Sequence, residues 1–133
     1  MGNCGVGFAP VKPGDQNFLI QLMEGVEDIP GTALHEGIDW EWETFPEFLD
    51  AIEKKEFVMD LGFMIGHGPV RSYVMGYDRC QNQVDASKDE INQMSEIVEK
   101  AINAGALGFS TSRTILHRDC LLYTSDAADD WSS

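Results

Sequence analysis

The clearest pattern in the chain is an apolar stripe of helical period between residues 88 and 104. Ser87 followed three residues later by Glu90 is a capping box, which marks a helix start, and Gly105 is placed to end the helix. The apolar positions recur every three or four residues: Ile91, Met94, Ile97, Val98, Ala101 and Ile102. The pattern predicts a helix from about Lys88 to Ala104 whose apolar face packs on a core.

Two shorter stretches have the same period. Thr44 and Glu47 form a second capping box, and the apolar residues after it predict a helix from about Phe45 to Lys55: Phe48, Leu49 and Ile52. The stretch from Asp15 to Glu24 carries apolar residues at helical spacing: Phe18, Leu19, Leu22 and Met23. It predicts a short helix with Gly25 near its end.

Two apolar runs have the features of buried strands. Residues 57–65 read FVMDLGFMI and are followed by Gly66, and residues 106–110 read ALGFS. Short apolar runs bounded by glycine are typical of strands in a parallel sheet, which is buried on both faces. With the helix 88–104 between them, the two runs predict a βαβ unit with a right-handed crossover.

The segments 26–39 and 77–85 are polar and carry turn signals, so we expect loops there. Acidic side chains cluster at the start of the first of these loops: Glu24, Glu27 and Asp28. Carboxylates can bind metals, but no histidine accompanies these three at ligand spacing. We therefore expect a solvated acidic loop.

Trp40 and Trp42 precede the helix that is predicted to begin at Phe45. In an extended segment both indoles fall on the same side, because successive side chains alternate. They could line a substrate pocket, or they could pack against the entrance of that helix. The sequence leaves both interpretations open.

Composition bounds the class of protein. With 43% hydrophobic residues the chain can bury one modest core, and a formal charge of -14 argues against nucleic acid as a partner. No apolar run approaches the roughly 18 residues of a spanning helix, so no membrane role is predicted. Cys4, Cys80 and Cys120 are an odd number without disulfide-scaffold spacing, which predicts a reducing, cytoplasmic location.

One cysteine stands on a glycine turn, Gly2-Asn3-Cys4-Gly5. Glycine suits a place where the backbone turns sharply and comes close to another group. A thiol there is either a metal ligand, a nucleophile or a small buried hydrophobe. A nucleophile would need a histidine as its base, and His35, His67 and His117 all lie far from Cys4 along the chain.

Five segments of the chain, taken together, resemble the sequences of one enzyme family. They read GNCGVGFAPVKPGD, LMEGVEDIPG, DWEWETFPEFLDAIE, GHGPVRSYVMG and AINAGALGFSTSRTILHR. Together they resemble the N-acyl-D-amino-acid deacylases, the D-aminoacylase branch of the amidohydrolase superfamily. The resemblance covers residues 1–118 and implies an α/β fold: a partial (β/α)₈ TIM-barrel slice of a metal-dependent amidohydrolase, since a complete barrel takes about 250 residues.

The resemblance also implies an activity and a site. The family cleaves the amide bond of N-acyl-D-amino acids, small-molecule substrates, to a carboxylate and a D-amino acid. Its cysteine in this turn binds zinc, so Cys4 is the expected metal ligand and zinc the expected cofactor. His67 follows the predicted strand 57–65, at the rim where α/β barrels build their active sites, and the resemblance implies a position near the substrate.

The rest of the family's catalytic machinery has no counterpart in this sequence. Neither the His-x-His pair that opens the family's metal site nor its later histidines and catalytic aspartate is found, so the catalytic residues stay unassigned. We expect residues 1–118 to be a central fragment of the barrel domain and inactive as an isolated chain. The alternative is a non-catalytic acidic α/β interaction module, which gives no reason for a cysteine between glycines.

The last fifteen residues, 119–133, do not continue the pattern. They resemble the translated product of a sequencing adaptor, and the family resemblance stops where they begin. We expect a non-native, disordered tail, which removes Cys120 from the metal argument.

Overall fold

The computed structural model describes residues 1–82 and 84–112. This part is mostly helical, with one small parallel sheet. The elements in chain order are α1 (Gln16–Glu27), α2 (Gly31–Gly37), α3 (Phe45–Glu53), β1 (Ile65–Gly66), α4 (His67–Met75), α5 (Tyr77–Gln81), α6 (Lys88–Ala104) and β2 (Phe109–Ser110).

The predicted tail 119–133, including Cys120, lies outside the described residues, as does His117. Within the described part, no helix has the length and apolar character needed to cross a bilayer.

Helix α6 has the bounds that the stripe and the capping box predict. The Glu90 N–H donates to Ser87 Oγ at 3.2 Å, and the Ser87 N–H donates to Glu90 Oε2 at 2.8 Å. Gly105 ends the helix with φ at 121°, a conformation that favours glycine. The apolar stripe packs on the core only in part: Ala101 is buried and Met94, Ile97 and Val98 are half-buried, whereas Ile91 and Ile102 are exposed.

Helix α3 begins at its predicted capping box and ends at Glu53, slightly before the predicted Lys55. The Glu47 N–H donates to Thr44 Oγ1 at 3.3 Å. In return, Glu47 Oε2 accepts the N–H groups of Thr44 at 3.0 Å and Glu43 at 2.8 Å. The local sequence therefore determines where this helix starts.

These hydrogen bonds predict an acid-sensitive contribution to stability. The backbone N–H of Thr44 first, and that of Glu43 second, hold the pKa of Glu47 below its ordinary value, because they favour the carboxylate. Such a group stabilises the fold above its unfolded pKa and loses that contribution as pH falls through the lowered folded pKa. Over that acidic range we expect the free energy of unfolding to fall more steeply in the wild type than in Glu47→Gln. Urea unfolding at a series of pH values measures both profiles, and parallel profiles would contradict the prediction.

Helix α1 ends slightly later than predicted. The helix continues through Gly25 to Glu27, and Asp28, with φ at 54°, is the left-handed residue that ends it. Gly25 lies near the end of the helix, as predicted, but the residue that ends the helix is Asp28. Aspartate is among the few non-glycine residues that adopt the left-handed conformation at low cost, so Asp28 can end the helix.

Two short helices lie in segments predicted to be loops. Helix α2 follows Pro30, whose carbonyl accepts the N–H groups of Ala33 at 2.9 Å and Leu34 at 3.2 Å. Helix α5 follows Gly76 and packs on α1 through an edge-to-face contact of Tyr77 with Phe18, with ring centroids 4.9 Å apart. Helices of five and seven residues are too short to show an apolar period, which is why no helical pattern predicts them.

Strand β1 is much shorter than the predicted strand 57–65. It pairs in parallel with β2, with Ile65 opposite Phe109 and Gly66 opposite Ser110. The first residues of the apolar run are exposed: Phe57, Val58 and Met59. The prediction of a long strand is wrong for this part, because an apolar run forms a strand only where a neighbouring backbone is present to pair with it. The parallel connection of β1 to β2 is confirmed.

Backbone hydrogen bonds extend the sheet beyond its regular strands. On one side, the Leu107 N–H donates to the carbonyl of Phe63 at 2.8 Å. On the other side, the Met64 N–H donates to the carbonyl of Met1 at 2.8 Å, and the Met1 nitrogen donates to the carbonyl of Gly62 at 2.6 Å. Met1 thus bonds to two residues of the neighbouring segment, Gly62 and Met64, which is the hydrogen-bond pattern of two parallel strands. The first residues of the chain therefore flank the stretch leading into β1, opposite β2.

Trp42 packs into the core rather than lining a pocket. The residue is 9% exposed, its ring centroid lies 5.0 Å from that of Phe48, and its Nε1–H donates to the carbonyl of Phe8 at 2.8 Å. Trp40 is half-buried against Trp42 and Phe8. Of the two interpretations of these indoles, packing at the entrance of α3 is the one that the structure supports.

Candidate functional site

Three chain segments meet at the carboxyl edge of the sheet. The turn Gly2–Gly5 follows the pairing of Met1, His67 follows β1, and Thr111 follows β2. Because all three segments run parallel, the residues after them lie at the same edge, which is where open and closed α/β sheets place their ligands. We take this edge as the candidate site.

The glycine turn fits closely against both strands. Gly2 and Gly5 have φ values of 79° and 81°, which favour glycine. A Cβ at Gly2 would lie 2.5 Å from the carbonyl oxygen of Met64, and a Cβ at Gly5 would lie 3.2 Å from Cα of Thr111. The glycines around Cys4 are therefore needed both for the turn and for the close approach, as the sequence predicts.

The turn is tied to the sheet by hydrogen bonds from both strands. The N–H of Gly68, just after β1, donates to the carbonyl of Gly5 at 2.9 Å. The hydroxyl of Ser110, the last residue of β2, accepts the Gly5 N–H at 3.1 Å and donates to the carbonyl of Gly2. No pattern in the sequence assigned a role to Ser110. The one feature of the sequence that pointed to Ser110 is its place as a small polar residue at the end of an apolar strand.

Cys4 is half-buried on this turn, and its thiol approaches an acidic side chain of α1. Cys4 Sγ lies 3.9 Å from Glu27 Oε1, although the two residues are 23 positions apart. The carboxylates at the end of α1 are exposed, as expected, but Glu27 is not remote from the candidate site. Its helical position, at the last turn of α1, brings it there.

Cys4 and Glu27 do not form a zinc site by themselves. Thiolate and carboxylate are both zinc donors, but zinc takes about four donors, with three from protein in a catalytic site. Among residues 1–82 and 84–112, no three His, Cys, Asp or Glu side chains come together as a metal-binding group. The described residues therefore hold no complete zinc site, and no chemical step can be derived through a metal here.

His67 lies at the same edge, in contact with the end of β2. Its Nδ1 is 3.3 Å from Thr111 Oγ1, and its ring meets that of Phe109 with centroids 6.1 Å apart. A groove of about 300 Å³ opens beside the imidazole. Its other lining residues are mostly apolar: Val70, Met94, Ser95, Val98 and Phe109. The structure thus places Cys4 and His67 at one edge of the sheet. The thiol lies near Glu27, whereas the imidazole lies near Thr111.

Comparisons with known proteins agree with the resemblance. Over 110 residues, 83% of the chain, the sequence is 29% identical to a D-aminoacylase from Alcaligenes xylosoxydans xylosoxydans, of which it covers 20%. It is 28% identical over 113 residues to uncharacterized proteins of Mycobacterium bovis and Mycobacterium tuberculosis, covering 83% of the chain and 18% of each relative. The chain thus spans about a fifth of the length of these relatives. No family model matches the chain, and no solved structure is significantly similar to it.

Proposed function

We propose that this chain is part of a zinc-dependent hydrolase that cleaves the amide bond of N-acyl-D-amino acids to a carboxylate and a D-amino acid. The observation that carries the proposal is Cys4 on a glycine turn built into the carboxyl edge of the sheet. That turn occurs in a chain that is similar over most of its length to a D-aminoacylase. The similarity supports a hydrolase, and the zinc and the substrate are our proposal.

In this proposal Cys4 is one of the zinc ligands. A half-buried thiol on a rigid turn suits a metal ligand, because little conformational freedom is lost on binding. Glu27 is the described side chain placed to join it or to accept a hydrogen bond from a ligand. The remaining ligands and the catalytic acid and base would come from parts of the protein outside the described residues.

The proposed architecture is a slice of a (β/α)₈ barrel. The order of parallel segments supports it: the first residues, the stretch before β1, and β2 lie side by side in chain order, with helices between them. Sequential parallel neighbours joined by helices are the arrangement of a barrel wall. His67 is then at the active-site rim, and we propose that it contacts the substrate.

The direct test is turnover by two proteins, the isolated chain and a full-length protein that contains this segment. We expect hydrolysis of N-acetyl-D-amino acids by the full-length protein, with bound zinc, and none by the 133-residue chain, because the described residues hold no complete metal site. Release of the free amino group from D- and L-substrates measures the activity, with the L-series as the control. A full-length protein that binds zinc but hydrolyses neither series would refute the proposal. Absence of both zinc and turnover would favour the non-catalytic acidic module.

A further inference from the structure

Ser110 makes an unusual pair of hydrogen bonds across the fold. The residue is 5% exposed, and its hydroxyl accepts the Gly5 N–H at 3.1 Å and donates to the carbonyl of Gly2. The two backbone groups are the first and last of the turn that carries Cys4. A single side chain, 105 residues away from Gly5 along the chain, therefore holds both ends of that turn.

The N–H of the fourth residue and the carbonyl of the first are the groups that close a β-turn. Here both are bonded to the same hydroxyl, so the turn is locked onto the end of β2. Packing reinforces this attachment, since the Cβ position of Gly5 lies 3.2 Å from Cα of Thr111 and 3.3 Å from the nitrogen of Ser112. The Gly5 N–H is buried, and a buried donor that loses its partner is costly. Loss of the hydroxyl should therefore loosen the attachment of the turn to the end of β2.

We propose that Ser110 is a positioning residue that holds the Cys4 turn and fixes where the thiol is presented at the carboxyl edge of the sheet. The relevance to catalysis rests on the proposed function, in which Cys4 binds zinc. The positioning itself depends only on the hydrogen bonds and packing described above. The two statements can therefore be tested separately.

The first test measures the reactivity of the Cys4 thiol in the 133-residue chain. Wild type and Ser110→Ala are alkylated with iodoacetamide, and mass spectrometry of peptides follows Cys4 and the buried Cys80 separately. We expect the Cys4 rate to rise about tenfold in Ser110→Ala, because two hydrogen bonds that hold the turn are lost. The Cys80 rate, which reports on opening of the core, should not change.

Ser72→Ala is the matched control. Ser72 is also a buried serine, 8% exposed, and its hydroxyl donates to the carbonyl of Pro69 at 3.1 Å inside α4. Deleting this hydroxyl removes a comparable hydrogen bond away from the turn, so the Cys4 rate should stay at the wild-type value. Equal Cys4 rates in wild type and Ser110→Ala would overturn the proposal. A parallel rise at Cys4 and Cys80 would overturn it too, because Ser110 would then act on general stability.

The second test connects the turn to the metal in the full-length protein. Cobalt(II) is titrated into the metal-free protein, and the thiolate-to-cobalt charge-transfer band reports on coordination by Cys4. We expect Ser110→Ala to weaken cobalt binding about 10- to 100-fold, as is typical when a residue that orients a ligand is lost, and Ser72→Ala to leave it unchanged. A wild-type protein without the thiolate band would refute the zinc assignment of Cys4, while the alkylation rates would still decide the role of Ser110.

Discussion

In the proposed zinc hydrolase, replacing Cys4 with alanine in the full-length protein is expected to remove tightly bound zinc and amide hydrolysis together. Alanine has no donor atom, and no neighbour on the turn can substitute, because Asn3 is a poor zinc donor and Gly5 offers only backbone. Glu27 alone cannot complete the ligand set. Metal analysis of the purified, folded variant, together with its turnover, measures both effects.

Cys80→Ala is the matched control for that experiment. Cys80 is 2% exposed and belongs to the core, so its replacement should cost on the order of 1 kcal/mol of stability and leave zinc and turnover in place. If Cys4 were only a small buried hydrophobe, the two variants would behave alike. A Cys4→Ala protein that keeps its full zinc content and ordinary turnover would end the proposal.

Gly66→Ala is expected to be strongly destabilising, although alanine is the smallest possible change. A Cβ at Gly66 would lie 2.9 Å from both the carbonyl carbon and the oxygen of Gly5, and 3.3 Å from the carbonyl carbon of Val6. These are backbone atoms, so β1 and the Cys4 turn would have to move apart. Overpacking of this kind typically costs about 1 to 3 kcal/mol, and we expect a value at the upper end. Urea unfolding measures it.

Gly25→Ala provides the contrast. A Cβ there meets no heavy atom within 4 Å, and Gly25 lies inside α1 with an ordinary helical backbone. The change should raise stability by about 0.5 to 1 kcal/mol, since alanine loses less backbone freedom in a helix than glycine does. If Gly66→Ala unfolded at the same urea concentration as the wild type, the close contact of β1 with the turn would be disproved.

The helices that could be predicted are those whose signals are local. The capping boxes at Thr44 and Ser87 place the starts of α3 and α6, because the residues that form each box lie within one helical turn. The apolar residues at helical spacing after each box then predict how far the helix continues. Helices α2 and α5 were missed because they are short. Gly25 lies near the end of α1, as predicted, but Asp28 is the residue that adopts the left-handed conformation there.

The strands were harder, since a strand depends on a partner elsewhere in the chain. The run 57–65 has the composition of a strand throughout, but its first residues have no described neighbour to pair with and are exposed. Pairing begins only where Met1 and Leu107 supply backbone groups on either side. The apolar composition therefore indicated a buried sheet, and the length of its strands depends on which backbone groups lie beside them.

For the candidate site, the glycines around Cys4 predict the turn on which it lies, and the apolar run 57–65 predicts that His67 follows a strand. The groups that surround these two residues are seen only in the folded chain: Ser110 bonded to both ends of the turn, Glu27 3.9 Å from the thiol, and Thr111 3.3 Å from the imidazole. The difference lies in how far along the chain each interaction reaches. Turn and helix preferences act between residues a few positions apart and leave a pattern in the chain, whereas hydrogen bonds between distant residues depend on how the elements pack and leave none.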